Sequence, residues 1–353
     1  MEGSQRTGRG GGEFTKVKIF PVPFSLGEIK ENITITTNTS FNPSQEQLIN
    51  QALEFHLQGK ISEATKYYQH LITQECNDQR VFSNYGVILQ DLGKLKEAII
   101  SLRKAIKLNP NFADAHNNLG NILKDTGNFK EAESSYRKAI ELKPDYADAS
   151  WNLSLLELLQ GDYKNGQENY EVRSKIKKAI TPHGKAKIRK VDNKKLEKEE
   201  KLLVITEQGL GDTIQYMRYI PYLKNQGFDV SLCAQEKLKS LIKASGIDPN
   251  PLTPEEASEV KEGQWIPLLS LPRYLQITPN NPIITAPYIY STDELNQKWK
   301  NILSNEKRPI IGINWQGNPE MEKTYQGRSI PLEAFSKLLK INEITMLSLQ
   351  KGF

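Results

Sequence analysis

The chain has 353 residues, of which 37% are hydrophobic and 25% charged, proportions of a globular protein with room for two or three cores. Its net charge of +5 is unevenly placed: Arg173 to Lys201 holds twelve Lys/Arg against four Asp/Glu. The remainder is near neutral, so composition does not indicate nucleic acid as a partner. No apolar run approaches the length of a bilayer span, and the first residues lack the apolar core of a signal peptide. The two cysteines, Cys76 and Cys233, have no metal-ligand spacing. The expectation is a soluble, cytoplasmic protein with reduced thiols, no membrane span and no metal site.

Residues 1–43 read as a disordered segment. The start is rich in glycine and arginine, and Asn32 to Ser44 is a polar tract. The short apolar piece Val17 to Leu26 carries Pro21 and Pro23, which argue against a central strand.

From Gln45 the chain repeats with a period of 34 residues. Glycine recurs at Gly59, Gly93, Gly127 and Gly161, and alanine at Ala64, Ala98 and Ala132 before Gly166. Small residues recur at Ala52, Gly86, Gly120 and Ser154, and large ones at Tyr68, Leu102, Tyr136 and Tyr170. Such columns describe helical hairpins. Each glycine ends a helix in a left-handed cap, and the small residues let a returning helix approach closely. These units resemble tetratricopeptide repeats, three of them plus a degenerate capping unit over residues 44–174. In the fourth, Glu157 replaces a core hydrophobe and Arg173 a small residue, as expected of a unit that joins the solenoid to another domain.

Asn50, Asn84, Asn118 and Asn152 form a further column in the first helix of each unit. Stacked repeats would align them as a ladder on the concave surface. An amide both donates and accepts, so a ladder can grip an extended peptide backbone without reading its side chains. Asparagine is also common here in ordinary repeats, and the residues alone leave both readings open. Residues 175–200 form a basic linker, read as a solvated connector because no aromatic side chain is present to stack on bases. The histidines His56, His70, His116 and His183 are scattered, without a catalytic or metal-binding pairing.

The organising stretch comes next. Leu202 to Ile205 is an apolar run, Glu207 to Asp212 a glycine-containing turn, and Ile214, Met217, Ile220 and Leu223 mark one helical face. A second run, Phe228 to Leu232, completes a strand–helix–strand unit of a parallel sheet. Gly209 and Gly211 would allow a tight turn and close ligand approach. Asp212 reads as an N-cap at the carboxyl end of the first strand, where open α/β sheets bind ligands. Ile214 occupies the place of the third glycine of a dinucleotide fingerprint, which speaks against a nicotinamide cofactor. Further on, Lys237 to Ser245 reads as a short helix, Trp265 to Pro272 as a proline-rich connection, and Thr292 to Leu303 as a helix. A second unit follows: a strand Ile310 to Trp315, a helix Pro331 to Lys340 and a strand Ile344 to Leu349.

The segments ITEQGLGDTIQYMRYIPYL, PLLSLPRYL, IGINWQGNPE, GRSIPLEAF and LSLQKGF resemble bacterial tetratricopeptide-repeat glycosyltransferases. The α/β part is similar to heptosyltransferases, and the overall plan to O-linked N-acetylglucosamine transferases. The resemblance spans roughly residues 45–353. It implies an α + α/β chain: a repeat solenoid, then a Rossmann-like GT-B N-terminal half over 201–305 and a C-terminal half beginning at 306–353. It further implies a nucleotide-sugar donor with no other cofactor, and an acceptor hydroxyl on a protein recruited by the repeats. Asp212 matches the family's general base, Arg328 a position on the donor phosphate, and Gly209 and Gly211 the acceptor-side loop. Asn314 and Gln316 line the equivalent strand end. Only the opening elements of the donor half are present, so the donor site is expected to be incomplete, or truncated. The alternative is a non-catalytic peptide-binding scaffold with a vestigial transferase domain.

Overall fold

The computed structural model describes residues 43–192, 200–283, 287–314, 329–336 and 343–349. The expected N-terminal disordered segment, Arg328 and Gln316 lie outside the described residues.

The first part consists of antiparallel helix pairs: α1 (Gln45–Leu57) with α2 (Ile61–Thr73), α3 (Gln79–Asp91) with α4 (Leu95–Leu108), α5 (Ala113–Asp125) with α6 (Phe129–Leu142), and α7 (Ala147–Gln160) with α8 (Tyr163–Tyr170). The four period glycines are all left-handed, with φ of 73, 74, 79 and 87°. Around Gly93 the Lys94 N–H donates to the Leu89 carbonyl at 2.8 Å and the Gly93 N–H to Gln90 at 2.9 Å. This paired closure satisfies helix-end carbonyls and turns the chain back on itself. Between the helices, a Cβ on Gly86 would lie 2.8 Å from Leu102 Cγ, and one on Gly120 only 2.6 Å from Tyr136 Cε1. The large and small columns therefore interlock. Apolar side chains from neighbouring pairs merge into one core running through the middle units.

The second part is a four-stranded parallel sheet. Its strands are β1 (Arg189–Lys190), β2 (Lys201–Ile205), β3 (Asp229–Cys233) and β4 (Gln264–Pro267), in the order β1-β4-β2-β3. Leu202 and Val204 face one core with Ile220, Leu223 and Leu232, whereas Leu203 and Ile205 face another with Ala257 and Cys233. Burial on both faces explains why β2 reads as an unbroken apolar run rather than an alternating one.

Several expectations need correcting. The helical face from Ile214 to Leu223 is split into α9 (Leu210–Tyr216) and α10 (Tyr219–Asn225). Pro221 has no N–H to donate and its ring excludes the carbonyl one turn back, so the helix restarts with Pro221 in the first turn. Residues around Trp265, read as a connection, form β4 inside the sheet. Pro267 is tolerated because it stands at the strand's last position, opposite Ile205. The basic stretch is not wholly a solvated connector: β1 pairs with β4, and the His183 N–H donates to the Thr206 carbonyl at 2.8 Å.

Between β3 and β4 lie short helices α11 (Lys239–Ala244) and α12 (Pro254–Ser258), and α13 (Leu271–Tyr274) follows β4. Next come α14 (Asp293–Ile302), capped by Thr292, and a separate parallel pair, β5 (Ile310–Ile313) with β6 (Thr345–Ser348). Of the helix expected over Pro331 to Lys340, the described residues form a 3-10 turn, Leu332–Phe335, and residues 337–340 lie outside them.

Candidate functional site

Two surfaces carry the predicted residues, the inner face of the repeats and the loop after β2. In each first helix, residues at steps of four, three and four share one stripe. In α3 the stripe is Arg80, Asn84, Val87 and Asp91. Links between the first helices of successive units show where this face lies. Arg80 reaches Glu46 at 2.6 Å, Asn152 Nδ2 donates to Asn117 Oδ1 at 3.0 Å, and Gln90 Nε2 donates to Asp125 Oδ2 at 3.1 Å. These contacts run from helix to helix along the inner wall.

The asparagine column lies on this wall, and its rungs are not equivalent. Asn50 is exposed and bonds the Glu46 carboxylate of its own helix. Asn152 is spent on Asn117, a residue buried to 5% exposure that lay outside the 34-residue column. Asn84 and Asn118 are half-buried at the centre. The repeat period found the ladder but could not show that its first and last rungs are engaged within the protein.

At the second surface the helix begins earlier than expected. Gly209 is the N-cap of α9 and Asp212 the third helical residue, its Oδ2 accepting the Gly209 N–H at 3.0 Å. Asp212 therefore reaches back to cap from inside the first turn. Neither Gly209 nor Gly211 adopts a left-handed conformation. That role falls to Gln208, at φ 63°, a conformation costly for a residue with a Cβ. A surrounding clamp holds it. The Gln208 carbonyl accepts from Gln235 Nε2 at 3.4 Å, and Gln208 Nε2 donates to the Tyr170 hydroxyl at 3.1 Å. Thr213 Oγ1 donates to Gln235 Oε1 at 2.9 Å, and His183 Nδ1 lies 2.9 Å from Thr206 Oγ1.

Sequence reasoning flagged Arg173 only as a departure from the repeat pattern and missed its partner. Its guanidinium, 3% exposed, donates to Glu207 Oε1 from Nε at 3.1 Å and from Nη2 at 2.6 Å. It also donates to Ser270 Oγ at 2.7 Å, Glu171 Oε1 at 3.0 Å and the Tyr170 carbonyl at 3.2 Å. Burial would raise the Glu171 carboxyl, but the Arg173 charge and hydrogen bonds from Ser270 and Arg173 outweigh it and hold the group below the ordinary carboxylate range. The Tyr170 ring lies beneath the Arg173 guanidinium and 4.7 Å from the Trp151 ring. Burial pushes its hydroxyl up to about 12. A continuous contact path thus leads from Trp151, beside the last asparagine rung, through Tyr170 to Gln208 in the turn just before the helix that bears Asp212. Gln167 Nε2 donating to the Ile277 carbonyl at 2.8 Å and Glu168 3.3 Å from Arg273 complete the junction.

Asn314 is exposed, just past the end of β5. Among the described residues no group of His, Cys, Asp or Glu could hold a metal ion, and no helix is long and apolar enough to cross a membrane.

Comparison with known proteins identifies repeats in the helical part. A family model described as TPR repeat matches residues 86–127, and one described as tetratricopeptide repeat matches residues 113–146. The chain contains tetratricopeptide repeats. No curated protein matches it. Among solved structures it is similar to MamA, residues 41 to the end, from Desulfovibrio magneticus RS-1, with 22% identity, 38% of this chain and 75% of that chain covered, and a TM-score of 0.34. It is similar to YrrB, titled a TPR protein with an unusual peptide-binding site, with 21% identity, 38% and 69% covered, and a TM-score of 0.34. It is also similar to the first TPR of Spaghetti (RPAP3) bound to an HSP90 peptide, with 21% identity, 33% and 92% covered, and a TM-score of 0.32.

Proposed function

We propose that this chain grips an extended segment of a partner protein along the inner wall of its repeats. The observation that carries this reading is the asparagine column on an accessible stripe, with Asn84 and Asn118 at its centre. An extended peptide exposes one N–H and one C=O per residue, and a ladder of amides answers both regardless of side-chain identity. Asn84→Ala combined with Asn118→Ala is expected to weaken binding of an unstructured fluorescein-labelled peptide roughly thirtyfold, as two net hydrogen bonds of about 1 kcal/mol each would predict. An unchanged Kd by fluorescence anisotropy would overturn it.

A second reading rests on Asp212, which stands in the first turn of α9, just past a turn after β2 that the repeats clamp. On this reading residues 201–305 are the acceptor-side half of a sugar transferase and 306–353 open its donor-side half. One oxygen of Asp212 caps Gly209, and the other takes the proton from an acceptor hydroxyl as that oxygen attacks the anomeric carbon of a nucleotide-sugar. The carbon–oxygen bond to the diphosphate breaks, and the charge leaves on the phosphate, with Arg328 as its partner. Asp212→Asn keeps a side-chain oxygen for the cap but removes the base. Transfer of a labelled sugar is expected to fall at least about 100-fold with the unfolding midpoint unchanged. Undiminished transfer in that variant would sink the assignment.

A further inference from the structure

The chemistry of the partner is written on the same stripe. Besides the asparagines, it presents Glu46, Asp114 and Asp148 at one level, with Asp91 and Asp125 at another. One cation belongs to it, Arg80, and that guanidinium is already claimed by Glu46 and Asp78, each at 2.6 Å. Lys124, beside the stripe, lies 3.6 Å from its neighbour Asp125. Asp91 and Asp114 are exposed and have no ion pair among the described residues. A chain of net charge +5 thus carries an acidic inner wall.

A second observation comes from the apolar residues. Four exposed large hydrophobic side chains belong to first helices: Leu53 at 37%, Leu57 at 76%, Leu155 at 36% and Leu159 at 63%. All four fall on this stripe, two in the first unit and two in the fourth. Leucines exposed at both ends of one groove, with carboxylates between, match a ligand that is apolar at its ends and cationic in its middle.

We infer that the groove selects an extended peptide segment with lysine or arginine over the second and third units and an apolar side chain at each end. This deepens the peptide-gripping reading and rests on it. The amides hold the backbone, while Asp91 and Asp125 supply the choice of charge. Neighbouring helices pack about 8–10 Å apart and an extended chain rises about 3.3 Å per residue, so each unit faces about three residues and the groove about twelve.

The test uses the full chain and three labelled twelve-residue peptides with leucine at both ends, differing only in having lysine, glutamine or glutamate at the central positions. The lysine peptide is expected to bind at least about tenfold tighter than the glutamate peptide, and the advantage to shrink as salt shortens the screening length from about 10 Å to about 3 Å. Asp91→Asn with Asp125→Asn should shrink the lysine-over-glutamate advantage, and an unchanged thermal unfolding midpoint shows that the variant is folded. Equal affinity for all three peptides, or tighter binding of the glutamate peptide, overturns the charge inference and leaves the groove reading standing. Binding of none overturns both.

Discussion

Removing the Arg173 side chain is the most demanding test of how the two parts are joined. Arg173 and Glu207 are 3% and 2% exposed, and one guanidinium serves Glu207, Ser270, Glu171 and the Tyr170 carbonyl at once. Arg173→Ala leaves the Glu207 carboxylate buried without its cation, a change that costs about 3–5 kcal/mol in comparable buried pairs. Arg173→Lys is expected to lose less, because an ammonium keeps the charge, though it cannot serve all four partners as the guanidinium does. Arg173→Met combined with Glu207→Leu removes both charges together and should lose less than Arg173→Ala alone, since no orphaned ion remains. The assay is urea unfolding followed by circular dichroism and tryptophan fluorescence. With a slope of about 2–3 kcal/mol per molar urea, Arg173→Ala should lower the midpoint of the transition that parts α8 from the sheet by about 1–2 M. If Arg173→Ala costs under about 1 kcal/mol, or if the paired variant loses the sum of its single changes, the ion pair is not what closes the junction.

Other outcomes follow from single sites. Gly120→Ala should destabilise the repeats by about 1–3 kcal/mol despite a helix-propensity gain near 1 kcal/mol, because the new methyl meets the buried Tyr136 ring; a neutral result in thermal unfolding would show that the ring has room to move. Burial pushes the Cys233 thiol up to about 11, so in a Cys76→Ala background iodoacetamide should label the native chain negligibly at about pH 8, where roughly one thiol in a thousand is ionised. Rapid labelling would contradict the burial. Because the folded value is raised, the thiol's contribution to stability is complete below its unfolded value of 9.0 and is lost as pH climbs through about 11. Cys233→Ala should flatten that alkaline decline, and an identical slope in both chains would refute the linkage.

The repeats were legible because a period of 34 residues forces equivalent residues into equivalent places. Gly59, Gly93, Gly127 and Gly161 announce left-handed helix ends, and all four have them. The sheet was only partly legible. β2 and β3 declare themselves by apolar runs, whereas β4 is four residues long, ends in Pro267 and owes its existence to neighbours on both sides. Local preference could not find it. The loop after β2 shows the same limit from the other direction. Its glycines drew attention, yet Gln208 takes the left-handed backbone, held there by contacts from Tyr170 and Gln235. Arg173 was visible as an anomaly, but no rule of spacing names Glu207 as its counter-ion.

The junction also gives the solenoid a direction. A stack of repeats held only by its neighbours frays from both ends alike. Here the fourth unit is fastened to the sheet by Arg173, Gln167 and Glu168, so opening is resisted at that end and is expected to spread from the first unit inward. Amide exchange should accordingly slow from the first unit to the fourth, and the groove's most yielding wall is the one farthest from the sheet.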